Sequence, residues 1–313
     1  MYPRTNLAIA NEQRDCCIYE YFAYEMITIA RGCIIDETDF TLLITGNVYA
    51  FDSTTIDLCL NVFWWANFRK AKGAIKIHTL YDVKTSIPAF VHITEGNVHD
   101  VNALDVLTYE ADGFYIMDKA YVDFKRLFTI NQSKAFYVTR AKENFNFKRI
   151  SSLKSDKLNG IICDQTVKLK GIKSSTYYPV VLRRIKYFDK EPRRTFVFLT
   201  NNFAQSAVDI AMLYKYRWKV ELFFKWIKQH LKIKSFWGTS MNAVKTQVYI
   251  AIITYTLVAV IKSKLKVNRS TYEMLQIMSA SLFDKTHLNE LLQSPINKNV
   301  KEQKCEQLKI ELI

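Results

Sequence analysis

Three acidic residues and one cationic helix face are the groups in this chain whose types and spacing could do chemistry. Asp52 and Asp118 each follow a short apolar run, residues 48–51 and 114–117, that reads as a strand with the carboxylate at its carboxyl end. Glu221 falls in residues 206–232, which read as one long amphipathic helix. Ser206 and Asp209 there have the form of an N-terminal capping box, and no Gly or Pro intervenes before Gly238. At about 100° per residue, Tyr214, Arg217, Glu221 and Lys228 share an arc of roughly 60°, with Lys225 and Lys232 in or beside it. Three carboxylates arriving from two strands and a helix can hold two divalent cations about 4 Å apart, activating an attacking oxygen and stabilising a leaving one in phosphoryl transfer. Hard oxygen ligands suit Mg2+ or Mn2+. Taken singly, each residue also has a plain structural account. Arg217 and Glu221 make an i,i+4 ion pair on a solvated face, and Asp52 makes a turn former or helix cap.

The elements that must position these groups alternate between strand and helix. Residues 17–31 read as a helix with an apolar stripe of Ile18, Phe22, Met26 and Ile29, ended by Gly32. In the strand carrying Asp52, Val48, Ala50 and Asp52 share one side while Tyr49 and Phe51 take the other. Residues 74–82 and 87–96 are joined by so short a polar link that they must pair antiparallel. His78, His92 and His99 lie here without metal-ligand spacing and read as structural imidazoles. A helix opens at Asp100 and runs to about Tyr109; the turn Asp112-Gly113 then leads into the Asp118 strand, a helix over residues 122–130 and a strand over 135–140. A strand reached through a crossover helix is most simply parallel to its neighbour, so both aspartates would open on one edge of a mixed sheet.

From residue 142 to about 195 the pattern changes to short β-prone pieces between basic turns, an antiparallel β unit inserted before the long helix. Its cations Arg183, Arg184, Lys186, Arg193 and Arg194, with Tyr177, Tyr178 and Tyr187, form a set able to track a phosphate backbone and stack on bases, or simply a solvated face. Helices follow over residues 244–266, 270–283 and 286–293, then a polar tail containing Lys298, Lys301, Lys304 and Lys309.

With 44 Lys and Arg against 30 Asp and Glu, the net charge of +14 suits a polyanionic partner, and 49% hydrophobic residues over 313 positions suffice for a sizeable core. The six cysteines include no C-x-x-C pair, which disfavours a zinc site or disulfide framework and fits a reducing cytosol. The first 15 residues carry Arg4, Glu12, Arg14 and Asp15 where a secretory signal would be apolar. The apolar run 248–261 is shorter than the roughly 20 residues a bilayer needs, so it reads as a buried helix and no membrane partner is expected.

Tyr214, Arg217, Glu221 and Lys228 match without a gap the Y-x-x-R-x-x-x-E-x-x-x-x-x-x-K signature of DDE-type transposases of bacterial insertion sequences, insertion-sequence family four. Residues 49–57 resemble that family's first-aspartate block, 114–124 its second, and 198–202 with 220–228 the approach to its glutamate. The resemblance covers about residues 5–293. It implies an RNase H-like mixed sheet with flanking helices, interrupted by an antiparallel β insertion before the catalytic helix. The expected divisions are residues 1–45 as a helical remnant of an N-terminal DNA-binding region, 46–141 and 196–266 as the two parts of the core, 142–195 as the insertion, and 267–313 as C-terminal helices and tail. It implies that Asp52, Asp118 and Glu221 bind two Mg2+ or Mn2+ ions. Tyr214, Arg217, Lys228 and Lys225, with Arg183 and Arg184 of the insertion, then contact DNA. The implied activity is cut-and-paste transposition by a homodimer on two terminal inverted repeats and a target DNA, in a bacterial cytoplasm or nucleoid; the competing reading is an inert relic that binds DNA or poisons a full-length transposase. Two departures bear on this. Ala120 stands where the family's D-R-G-Y block has Gly, which would strain a turn needing positive φ. The insertion also has no tryptophan for base stacking, leaving Tyr177, Tyr178 or Phe147.

Overall fold

A strand buried on both faces must alternate its core residues, and residues 48–51 do so: Val48 and Ala50 enter one apolar cluster, Tyr49 and Phe51 the other. The computed structural model describes residues 6–34, 40–69, 72–231, 233, 235–283 and 285–293. Lys232, the tail lysines and the opening residues up to Arg4 lie outside the described residues. In chain order the elements are α1 (Asn6–Gln13), α2 (Cys16–Cys33), β1 (Val48–Leu58), β2 (Asn67–Arg69), β3 (Lys72–Asp82), β4 (Ile87–Glu95), a 3-10 helix (Asp100–Val106) and β5 (Phe114–Met117). A 3-10 turn (Lys119–Tyr121), α3 (Phe124–Gln132), β6 (Phe136–Arg140), β7 (Phe147–Leu153), β8 (Ile161–Leu169), α4 (Ile172–Tyr177), β9 (Leu182–Asp189) and β10 (Arg194–Thr200) follow. The chain continues through α5 (Ala207–Lys215), α6 (Trp218–His230), α7 (Met241–Leu265), α8 (Thr271–Ala280) and α9 (Leu288–Gln293).

The sheet runs β4-β3-β1-β5-β6-β10-β9-β8-β7, with the short β2 against the start of β3. β1, β3 and β4 pair antiparallel, whereas β5 lies parallel to β1 and β6 parallel to β5. A mixed sheet in which the two aspartate-bearing strands are parallel neighbours is what the sequence led one to expect. In the stretch expected as an insertion, β7, β8 and β9 pair antiparallel, and β10, pairing with both β9 and β6, joins them to the same sheet. One sheet face carries α3, whose Leu127 and Ile130 meet Tyr49, Phe51, Tyr115 and Met117. The other is covered by α2, α5, α6 and α7 through Ala23, Ile210, Leu213, Val220, Phe224 and Val248. α7 is long and apolar enough by composition to cross a membrane, and half of its apolar window is buried within the protein. The described residues from Ile261 to Gln293 form a second, small unit, in which Ser270 and Glu273 make a capping box for α8 and the Arg269 Nε donates to the Leu292 carbonyl at 2.7 Å.

Several elements differ from the sequence expectation. The single helix over residues 206–232 is two, α5 and α6, joined at Tyr216 and Arg217 by i to i−3 hydrogen bonds that tighten one turn (Arg217 N to Tyr214 O, 3.1 Å; Lys219 N to Tyr216 O, 3.0 Å). Propensity permits an unbroken helix; tertiary contacts of Tyr216, its ring tilted against Phe40 at 4.9 Å and its hydroxyl accepting from Thr41 N, accompany the tighter turn. On α2 the buried face is Ala23, Met26, Ile27 and Ala30, while Ile18, Phe22 and Ile29 are exposed. The small alanines let the helix lie close on the sheet, where Tyr24 donates to the Val91 carbonyl. Gly32 lies within α2, and the helix expected from Asp100 is a 3-10 helix ending at Val106.

Candidate active site

Asp52 is not at the end of its strand. β1 runs on to Leu58 because β3 continues to pair with it, whereas the parallel neighbour β5 stops at Met117, opposite Phe51. Asp52 and Asp118 are therefore the next residues on adjacent strands, at the point where the sheet opens. Asp118 leads into the 3-10 turn, and Ala120 sits within it at ordinary negative φ, exposed, so the expected strain from replacing Gly does not arise.

Glu221 approaches from the first turn of α6. Arg217 joins it to β1: its Nη1 donates to Asp52 Oδ2 at 2.8 Å and its Nη2 to Glu221 Oε1 at 2.6 Å. Tyr214, at the end of α5, donates its hydroxyl to Asp118 Oδ1 at 3.1 Å. The tightened turn between the two helices thus keeps Tyr214, Arg217 and Glu221 on the side facing the aspartates. Lys228 reaches β1 three residues beyond Asp52, donating to the Thr55 carbonyl at 2.9 Å, and Lys225 is exposed on α6.

The electrostatics follow from crowding acids in a partly buried place. Burial pushes the Asp52 carboxyl up to about 6; Glu221 and Asp118 add to the rise, while the Ser53 N–H and Arg217 oppose it. Burial also raises Asp118, but the Arg140 hydrogen bond, the Lys119 N–H and the charges of Arg140 and Arg217 outweigh it and hold this carboxyl below its ordinary value. Burial raises the Tyr214 phenol to about 12. Asp52 therefore binds its proton more tightly folded than unfolded. Its contribution to stability is full below about pH 4 and is lost as the pH rises through about 6, by up to about 3 kcal/mol. Asp118 acts in the opposite direction, losing its contribution as pH falls. In metal-free urea titrations the difference between wild type and Asp52→Asn isolates the first effect: the substitution should gain stability relative to wild type from pH 4 to 7. A flat difference would mean that Asp52 is not buried as described.

A family model described as a transposase DDE domain matches residues 45–257, an interval holding both aspartates and Glu221. The chain belongs to the DDE transposase family. It is 34% identical over 264 residues to a putative transposase, y4zB, of Sinorhizobium fredii, covering 81% of this chain and 72% of that one. It is 34% identical over 210 residues to a probable transposase for insertion sequence element IS5377 of Geobacillus stearothermophilus, covering 66% of this chain but only 54% of that one. A putative transposase for element IS4SA of Synechocystis is 22% identical over 76% of this chain. A solved piggyBac transposase synaptic complex with hairpin DNA aligns over 86% of this chain and 57% of its own, at 13% identity and a TM-score of 0.46.

The DDE domain implies dependence on a divalent metal in general terms, and the donor chemistry here fits one. Glu221 and Asp118 both raise the Asp52 carboxyl, a repulsion that a cation relieves, and the three carboxylates do not all bring an oxygen within 4.8 Å of one another. The Arg140 and Tyr214 contacts of Asp118 fall on Oδ1 and the Arg217 contact of Glu221 on Oε1, so the arginines leave Asp118 Oδ2 and Glu221 Oε2 available as ligand atoms.

Arg140 was not singled out by sequence reasoning, yet its Nε lies 3.0 Å from Asp118 Oδ1 and its Nη2 contacts the same oxygen. The signal was present in the strands themselves. Phe-Tyr-Ile-Met-Asp (114–118) and Phe-Tyr-Val-Thr-Arg (136–140) run parallel in register, Met117 opposite Thr139, so each places a charge at the same sheet edge. Beyond it a groove of about 480 Å3 is lined by Lys119, Arg140, Lys142, Arg184, Arg194 and Phe147, among others. Arg184 stays in this groove, its guanidinium over the Phe147 ring at 4.9 Å. Arg183, expected to contact DNA, is instead 3% exposed and clamps Asp164 with two hydrogen bonds of 2.9 and 2.6 Å. Alternation along β9 forces neighbours to opposite faces, so one arginine is spent in the interior. Tyr178 and Tyr187 are also buried, which removes them as stacking residues; Tyr177 is half exposed.

Proposed function

We propose that this chain is a DNA transposase that moves an insertion sequence by cut and paste, hydrolysing a phosphodiester at each element end and then joining the freed 3′ hydroxyl to target DNA. Asp52, Asp118 and Glu221 hold two Mg2+ or Mn2+ ions. Bound there, such a pair of ions polarises the attacking oxygen and stabilises the leaving one. The residues of the chain supply everything else. Arg217, Tyr214 and Lys228 orient the phosphates flanking the scissile bond, Lys225 extends the cationic face, and the groove with Lys119, Lys142, Arg184 and Arg194 tracks the backbone beyond it. Two copies act together on two terminal inverted repeats, within a bacterial cell at the nucleoid.

The observation that carries this reading is the single guanidinium of Arg217 joining β1 to α6 at the edge where β5 delivers Asp118. Its test is a cleavage assay with labelled duplexes taken from the genomic borders of the coding region, with Mn2+ or with a chelator. Strand cleavage that the chelator abolishes is expected. DNA that is bound but left uncut with Mn2+ would instead favour the inert relic that only binds DNA or poisons a full-length transposase.

A further inference from the structure

Each of the three acids is already paired with an arginine. Arg217 spans Asp52 and Glu221, and Arg140 grips Asp118 through two nitrogens on one oxygen. The two guanidinium groups share a support: each carbon lies 5.9 Å from the centre of the Tyr214 ring, whose hydroxyl is itself on Asp118. Both side chains also line one open groove together with Arg194 and Tyr214. They are only partly exposed, 28% for Arg140 and 17% for Arg217, so they are neither free surface cations nor sealed in the core.

The charge balance makes this arrangement hard to keep once cations load. Three carboxylates and two guanidinium groups sum to a single negative charge, whereas two added divalent ions leave a strong positive excess. Like charges crowded together at a protein surface repel one another. An anion in the groove removes the conflict by giving the arginines another partner, and a phosphodiester fits the planar fork of a guanidinium.

We propose that Arg140 and Arg217 are exchangeable counterions: in the DNA-free protein they compete with divalent cations for Asp118, Asp52 and Glu221, and a DNA phosphate in the groove draws them off. Metal and DNA then bind with positive linkage, each raising the affinity for the other by the same factor. This rests on the proposed function only in taking the three acids as metal ligands. The opposite role is also well defined. Arginines that serve as fixed struts would hold the acids in a metal-ready shape, and their loss would weaken metal binding.

Calorimetric titration of the full chain with Mn2+, without DNA, separates the two. Arg140→Gln should bind Mn2+ about tenfold more tightly than wild type, and Arg140→Lys, which keeps a competing charge, should fall between them. Adding a short duplex of arbitrary sequence should tighten Mn2+ binding to wild type and do so less for Arg140→Gln. Unchanged or weaker Mn2+ binding by Arg140→Gln with a wild-type circular dichroism spectrum, or an equal gain from the duplex in both proteins, would overturn the proposal. Arg217→Gln repeats the comparison at the other pair and decides it if Arg140→Gln does not fold. Asp118→Asn is the control: Mn2+ binding that survives it would show that the acids are not the ligands, which sinks the proposed function rather than the exchange.

Discussion

Glu221→Gln lowers DNA cleavage by about a thousandfold or more, the scale on which removal of an essential catalytic group is felt, while DNA binding in a mobility-shift assay changes by less than about twofold. The amide keeps the size of the side chain and an oxygen for Arg217, so α6 stays where it is; the loss is one negative charge from a site that has three. Binding depends on the many phosphate contacts of a basic surface, and a single neutralised acid if anything favours them. Cleavage depends on a carboxylate able to hold a cation. The two readouts should therefore separate widely in one variant. Retained cleavage would remove Glu221 from the reacting centre and with it the assignment of α6 as the catalytic helix.

Arg183→Ala produces the second large effect, and it is a loss of stability rather than of chemistry. The side chain is buried, pairs with the equally buried Asp164, and donates from Nη1 to the carbonyls of Asn202 and Gln205 at 3.2 and 2.6 Å. Truncation leaves a carboxylate without its partner and two carbonyls short of a donor, costing about 3–5 kcal/mol. Denaturant unfolding should record that loss, with DNA affinity per folded molecule unchanged. Because Asn202 and Gln205 lie in the turn before α5, this arginine also fixes where the helix bearing Tyr214 begins. Pairing Arg183→Met with Asp164→Leu should recover much of the lost stability, since replacing both members removes the stranded charge. A wild-type unfolding midpoint for Arg183→Ala, or a selective loss of DNA binding, would return this residue to the DNA surface.

The amino-acid sequence by itself determined the strand alternation around Asp52, the parallel crossover to Asp118, the helical character of residues 207–230 and the strongly basic balance. Each is a local or additive property: period-2 and period-3.6 patterns act over a few residues, and net charge is a sum. The family signature likewise depends on spacing within one segment. Tertiary structure alone decided which groups meet. Asp52 lies mid-strand because β3 outlasts β5 as a partner, Arg140 reaches Asp118 because β5 and β6 share a register, and Arg183 turns inward while Arg184 faces the groove. Neighbouring arginines of equal charge and propensity are told apart only by which sheet face is covered, and that depends on elements many residues away in the chain.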